Sequence, residues 1–272
     1  MINFSELLWK SGQRNDPGRR VSSVAEPEES RVVPALEHAP VARAQFDEGG
    51  RIAQLTDSRS SGADRFRFLR MRLRELRELA KLQSLVITSP MPEDGKSTIA
   101  LSLATALAEG GKHPTLLIDA DLHRSSIATN LALPPRPGLA ECLEDGSNPM
   151  SHIVSVEPLG WYLLEAGEAR RNPTELLQSA ALPAVMQGIA PYFEWILIDS
   201  PPVLPLTDAL SISRQVDATL LVARAGRTPR EAIEESIKLI GQKHVLGIVL
   251  NGAGAEGLSR LYPQYYGRCE KK

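Results

Sequence analysis

The sequence predicts an α/β fold in which a doubly wound, mostly parallel sheet presents its ligand site at the carboxyl ends of the strands. Two observations lead there. Short apolar runs of strand length alternate with stretches of helical period, and three of those runs end in clusters rich in acidic residues or glycine. The 272 residues suffice for one large α/β domain with a tail, or for two small domains. Hydrophobic residues at 42% and charged residues at 24% are ordinary for a globular chain.

Taken in order, residues 1–61 come first and read as a disordered arm, because Pro, Ser, Arg, Glu and Gly dominate without helical or strand period. A domain is expected over 62–258 and a tail over 259–272. The domain opens with a helix: Phe66, Leu69, Leu73, Leu76 and Ala80 recur every three or four residues, while Arg65, Arg67, Arg70, Arg72, Arg74 and Arg77 occupy the other faces. That basic side is either solvated or a docking surface for an acidic partner. Buried strands follow at 85–88, 116–118, 195–198, 219–222 and 245–250, with helices at 99–108 and 231–240 between them. Asn172-Pro173-Thr174-Glu175 starts another helix, with Asn as cap, Pro in the first turn and Glu three residues on.

Charge and cysteine usage narrow the partners. Thirty-one basic against 33 acidic residues give a net charge of −2, so no bulk field draws the chain to nucleic acid. Cys142 and Cys269 lie far apart without metal-ligand spacing, which suggests a reducing compartment. With no signal peptide and no run of about 20 apolar residues, the expected location is cytoplasmic.

Three clusters carry the chemistry. The first, Pro90-Met91-Pro92-Glu93-Asp94-Gly95-Lys96-Ser97-Thr98, links a strand directly to a helix, the context of a P-loop. Its backbone N–H groups and the helix N-terminus would cradle phosphate, Lys96 would neutralise it, and the Ser97 hydroxyl would sit on Mg²⁺. The second, Asp119-Ala120-Asp121, sets two carboxylates on one side of an extended chain. Such close like charges call for a cation, with Mg²⁺ the natural one. The third, Asp199-Ser200-Pro201-Pro202, ends an apolar strand as a Walker B aspartate does, and Asp208 soon after suits a helix N-cap. Together the three predict Mg-ATP binding.

These motifs resemble the cytoplasmic bacterial tyrosine kinases of capsule and exopolysaccharide synthesis, from about residue 64 to 266. The family loop Pro-x-Pro-Gly-Glu-Gly-Lys-Ser matches residues 90–97. Its apolar-Asp-x-Asp-x-Arg matches Asp119 and Asp121, and its Asp-Ser-Pro-Pro matches 199–202. Glu165-Ala166-Gly167, the run 172–177 and the run 247–251 also look like the family. The chain departs at Glu93, where glycine is usual, and at His123, where arginine is usual.

The resemblance implies a P-loop NTPase fold of the partition-ATPase-like type. The nucleotide would be held by Pro92, Glu93, Asp94, Gly95, Lys96, Ser97, Thr98 and Asn251. The metal would be held by Ser97, Asp119 and Asp199, and Asp121 would stand nearest the incoming tyrosine hydroxyl. Autophosphorylation is implied on Tyr262, Tyr265 and Tyr266, three of five tyrosines gathered in the last eleven residues. A ring of copies is implied through Asp64, Arg67 and Arg70, which match the spacing of the family's Glu-x-x-Arg-x-x-Arg helix. A separate membrane polysaccharide co-polymerase as activator, recruiting the chain to the inner face of the plasma membrane, and a tyrosine phosphatase complete the expected partners. Two other readings use the same fold. A partition or septum-positioning ATPase would carry a second lysine where Met91 stands, and a catalytically weak ATP-binding adaptor would act by docking alone.

Overall fold

The structure, a computed structural model, describes residues 36–46, 61–168 and 170–253, and the side chains of the first helix from residue 64 onward. The strands are Val41–Arg43 (β1), Ser84–Thr88 (β2), Thr115–Asp119 (β3), Val154–Glu157 (β4), Trp161–Leu164 (β5), Trp195–Asp199 (β6), Ala218–Arg224 (β7) and Val245–Asn251 (β8). They form one sheet in the order β1-β4-β5-β3-β6-β2-β7-β8. All pairings are parallel except β4 with β5. The predicted doubly wound sheet is thus present, with β1 and β4 running against the other six strands.

Every residue of β2, β3 and β6 is buried, as expected for central parallel strands covered on both faces. Alternation sorts their side chains into two layers. Leu85, Leu117, Leu163 and Leu197 pack under helices α1 (Ser61–Ala80) and α2 (Lys96–Ala108). After the short α3 (Ile127–Asn130), the opposite layer is covered by α4 (Leu139–Asp145), α5 (Pro173–Gln178) and α6 (Ala181–Ile189). There Val86, Ile118, Leu164 and Ile198 meet Leu139, Leu177 and Val185. Helices α7 (Asp208–Ser213) and α8 (Arg230–Ile240) complete the chain between β6 and β8.

Two features differ from the sequence reading. Residues 36–46 depart from the structureless arm expected over 1–61. Val41–Arg43 pairs with β4, Ala42 is buried, and the Ala44 N–H donates to the Glu157 carbonyl at 2.8 Å. Three residues offer no period to read, so their order comes from pairing with a distant strand. Ser61 already belongs to α1, while residues 1–35 and 47–60 and the whole tail 259–272 lie outside the described residues. The basic side of α1 is also turned inward in part. Arg70 and Arg74 pair with Glu109 at the end of α2 at 3.2 and 2.7 Å, and Arg77 lies over the Trp195 ring at 5.2 Å. The guanidiniums thus help to dock the helix whose leucines form the core contact.

Candidate active site

The site is built where β2, β3 and β6 end. Between β2 and α2 the chain makes a tight loop in which Glu93 and Gly95 adopt left-handed backbone, φ 65° and 96°. The glycine usual at the position of Glu93 is thus explained by backbone geometry, and Glu93 bears the strain that glycine would avoid. At Gly95 there is no room for a side chain: a Cβ there would fall 2.0 Å from the Asn251 Nδ2.

That asparagine belongs to a clamp on the loop. Asn251 donates to the Asp94 carbonyl at 2.9 Å, and Thr228 donates its hydroxyl proton to the buried Asp94 carboxylate at 2.6 Å. The other Asp94 oxygen accepts the Met91 N–H at 3.1 Å. Arg224 reaches the Glu93 carbonyl at 3.1 Å, and Arg227 pairs with the exposed Glu93 carboxylate at 2.6 Å, which lowers its pKa. Turn β7–α8 and the end of β8 therefore fix the loop from outside. Pro92 lies exposed on the loop rim, and Thr98 stands half-buried in the first turn of α2.

Inside the loop, the Lys96 ammonium donates to Asp121 at 2.9 Å and lies 3.5 Å from the Ser97 hydroxyl. Burial works to lower the Lys96 pKa, but Asp199 and then Asp121 outweigh it and raise the value above the ordinary one. Asp119 and Asp199 stand opposite each other in the β3–β6 register. Asp119 accepts the backbone N–H groups of Asp121, Ser126 and Ile127 at 3.2–3.3 Å. Burial pushes its pKa up to about 6, and those N–H groups hold it from rising further. Asp199 is fully buried, and neither carboxylate oxygen has a hydrogen-bond partner. Burial pushes it up to about 7 against the pull of Lys96. The Ser97 hydroxyl is near enough to lower that pKa but makes no hydrogen bond of normal geometry with it.

An orphaned buried carboxylate beside a serine hydroxyl and a helix N-terminus fits a hard divalent cation with an anion above it. Among the described residues no group of three or more His, Cys, Asp or Glu side chains forms a metal cage. Mg²⁺ binds through one or two carboxylates together with phosphate oxygens and water, and Asp119 and Asp199, opposite each other on β3 and β6, offer that number. Lys96, Ser97, Asp119, Asp121 and Asp199 are thus brought together, and Asn251 joins them through the loop backbone.

Other expectations fall elsewhere. Asp208 does not cap α7 from outside; it is the first helical residue, with Thr207 in the cap position. Its buried carboxylate instead meets His123 Nε2 at 2.8 Å. Asp64 and Arg67 pair on the surface of α1, while Arg70 also donates to the Ala106 carbonyl at 3.2 Å. Tyr262, Tyr265 and Tyr266 lie outside the described residues.

One acidic residue at a strand end escaped functional assignment in the sequence. Glu165 directly follows β5. Leu164 pairs with Ile118, so Glu165 comes level with Asp119 on the next strand. It is 5% exposed, and burial raises its pKa to about 7, opposed by Arg136 and aided by Asp119. The signal was present, an acid after the apolar run Trp161–Leu164, but that run was not assigned as a strand.

No family model matches the chain. It is 33% identical over 177 residues to the tyrosine-protein kinase CpsD of Streptococcus pneumoniae, covering 63% of this chain and 76% of CpsD. It is 34% identical to the tyrosine-protein kinase ptk of Acinetobacter johnsonii over 64% of this chain and 23% of ptk. It is 30% identical to the succinoglycan biosynthesis transport protein ExoP of Rhizobium meliloti over 76% of this chain and 28% of ExoP. The chain thus spans about a quarter of these last two relatives. The kinase domain of the Escherichia coli tyrosine kinase ETK superposes with a TM-score of 0.70 at 25% identity, over 85% of this chain and 95% of that domain. The cell division ATPase MinD of Pyrococcus furiosus shares the fold, with a TM-score of 0.54 at 24% identity over 63% of this chain and 73% of MinD. Sequence relatives, domain structure and site motifs agree, and the chain belongs to the bacterial protein-tyrosine kinase family.

Proposed function

We propose that this chain is a Mg-ATP-dependent protein-tyrosine kinase that phosphorylates Tyr262, Tyr265 and Tyr266 of its own tail and regulates capsule or exopolysaccharide synthesis. The observation that carries the reading is the convergence of Lys96, Ser97, Asp121 and Asp199 on one P-loop. Mg-ATP, when bound, supplies the phosphoryl group and the metal's positive charge. Ser97, Asp199 and Asp119 would hold the metal or its waters.

Lys96 and Asp121 form a closed pair in this structure. For both to work, Lys96 turns to phosphate oxygens, and Asp121 is released to face the phenol. Full deprotonation of the phenol by Asp121 before attack would run uphill by about 8 kcal/mol, given reference pKa values near 10 and 4. Asp121 therefore orients the hydroxyl and takes its proton late, while Lys96 stabilises the transferring charge. Phosphotyrosine formation after incubation with Mg-ATP tests the activity. In Asp121→Asn the rate should fall at least ~100-fold with nucleotide binding retained, and an unchanged rate would remove Asp121 from this role.

The partition-ATPase reading gains only the shared fold, and Met91 occupies the place of the second lysine that reading requires. Assembly into a ring through Asp64, Arg67 and Arg70 belongs to the proposal, as does a membrane co-polymerase that activates the chain from a cytoplasmic docking site. The name of ExoP, a transport protein of succinoglycan biosynthesis, supports the second point. Among the described residues no helix is long and apolar enough to cross a membrane. A tyrosine phosphatase would return the tail to its starting state. Nucleic acid has no part in the scheme.

A further inference from the structure

Two groups hold the Asp121 carboxylate. Lys96 donates to one oxygen at 2.9 Å, and the Arg124 N–H donates to the other at 3.0 Å. The same Arg124 N–H lies 3.2 Å from the Asp121 carbonyl, so residues 121–124 close on themselves and carry the aspartate as one unit. In the proposed reaction Lys96 turns to phosphate, and the aim of Asp121 then depends on where this turn sits. Leu122 seats the turn in the layer that holds Ile118, Ile198 and Ile212, but hydrophobic contact is non-directional and does not set its angle.

The directional contact comes from His123. Its Nε2 donates to Asp208 Oδ2 at 2.8 Å, and the Asp208 carboxylate is wholly buried at the start of α7. The other oxygen, Oδ1, has no partner, so among the described residues His123 is what holds this carboxylate. Helix α7 is itself fixed to the domain, with Ile212 packed in the layer of Ile118 and Ile198 and Ala209 packed with Val203 and Leu221. Breaking the His123 bond would leave a buried carboxylate bare, which makes the contact costly to give up. We propose that His123 is a positioning residue: its hydrogen bond to Asp208 locks the 121–124 turn to α7 and keeps Asp121 aimed at the acceptor hydroxyl once Lys96 has left it. The inference rests on the tyrosine-kinase reading and deepens it, giving His123 and Asp208 a part in the rate without contact to nucleotide or phenol. A pair that served stability alone would become dispensable to the rate once both partners were apolar, and that difference can be measured.

His123→Leu removes the donor, His123→Gln keeps an N–H of similar reach, and His123→Leu with Asp208→Ala removes both polar partners. The host is the full chain with Tyr262, Tyr265 and Tyr266 changed to Phe. The substrate is a peptide of residues 257–272, so kcat and KM are read from the phosphotyrosine formed on it. His123→Leu should lower kcat about tenfold or more, while KM for the peptide and Mg-ATP affinity by calorimetry stay within about twofold. His123→Gln should keep kcat within about threefold of the parent. The double variant should melt higher than His123→Leu, because no buried carboxylate is left bare, yet its kcat should stay low. With Asp121→Asn in the host, His123→Leu should cost less than about a further twofold, since the histidine acts through that carboxylate. A parent-like kcat in His123→Leu overturns the proposal, as does a kcat in the double variant that recovers with its melting temperature. So does His123→Gln as slow as His123→Leu, or an equal loss from His123→Leu with and without the Asp121 carboxylate. In each of these cases the kinase reading stands. If the parent host forms no phosphotyrosine on the peptide, both fall.

Discussion

Replacing Asp199 by asparagine should stabilise the protein without nucleotide while abolishing its response to Mg-ATP. Asp199 is wholly buried without a hydrogen-bond partner, and its pKa stands at about 7 against an ordinary value of 3.8. A folded-state pKa raised above the unfolded one means that stability is fully present below the unfolded value and is lost as pH rises through about 7. The difference of 7 less 3.8 corresponds to a penalty on the order of 4 kcal/mol once the group is ionised, at about 1.36 kcal/mol per unit. Asparagine removes the charge but leaves its own amide short of partners, which returns about 1–3 kcal/mol. The net gain near pH 8 is therefore about 1–3 kcal/mol, or roughly 3–10 °C in Tm for a domain of this size. Near pH 5.5 the folded carboxyl is protonated but the unfolded one is still ionised, so a penalty of about 2 kcal/mol remains and the net effect of asparagine should shrink to within about 1 kcal/mol of zero. Thermal melts at both pH values, with and without Mg-ATP, measure this. The wild type should gain several degrees from saturating Mg-ATP and the variant almost none. An Asn variant that melts lower than wild type near pH 8, or that responds equally to Mg-ATP, would refute the assignment of Asp199 as a charge held for the metal.

Gly95→Ala should lose about 2–4 kcal/mol and Mg-ATP binding together, because left-handed backbone and the Asn251 amide both resist a Cβ; denaturant unfolding and calorimetry check this. Glu93→Gly relieves the same kind of backbone strain at an exposed position, so Tm should hold or rise with ATP affinity retained, as melts and calorimetry would show. Thr228→Val removes the hydroxyl that donates to Asp94 and accepts the Arg224 N–H at 2.7 Å. A loss of about 1–3 kcal/mol in unfolding and a weaker nucleotide Kd are expected.

Much of the site was legible because its parts announce themselves locally. β2, β3 and β6 are each built on a short apolar run, and Asp119 and Asp199 close two of them. Lys96 and Ser97 are fixed by the strand-to-helix step around them. β1, β4 and β5 were not read: β1 (Val-Ala-Arg) and β4 (Val-Ser-Val-Glu) lack the continuous apolar run of a central strand, the apolar run of β5 went unassigned, and β1 pairs only with β4. The clamp was hidden for another reason. Thr228 and Asn251 lie 134 and 157 residues from Asp94; no local pattern marks the threonine, and the family-like run 247–251 pointed to Asn251 as a nucleotide contact, not as a support for the loop. The arginines of α1 show the converse: their spacing suggested an outward surface, while Glu109 and Trp195 draw three of them onto the domain.

Because β8 finishes with Asn251 bound to the P-loop, the tail is leashed at the nucleotide end of the sheet. Tyr266 follows fifteen residues later, so even a fully stretched leash reaches only about 50 Å. On the proposed autophosphorylation, a tyrosine within that radius acts at an effective concentration on the order of millimolar. Under that proposal the chain carries its own acceptor, and lengthening the segment after Asn251 would dilute it.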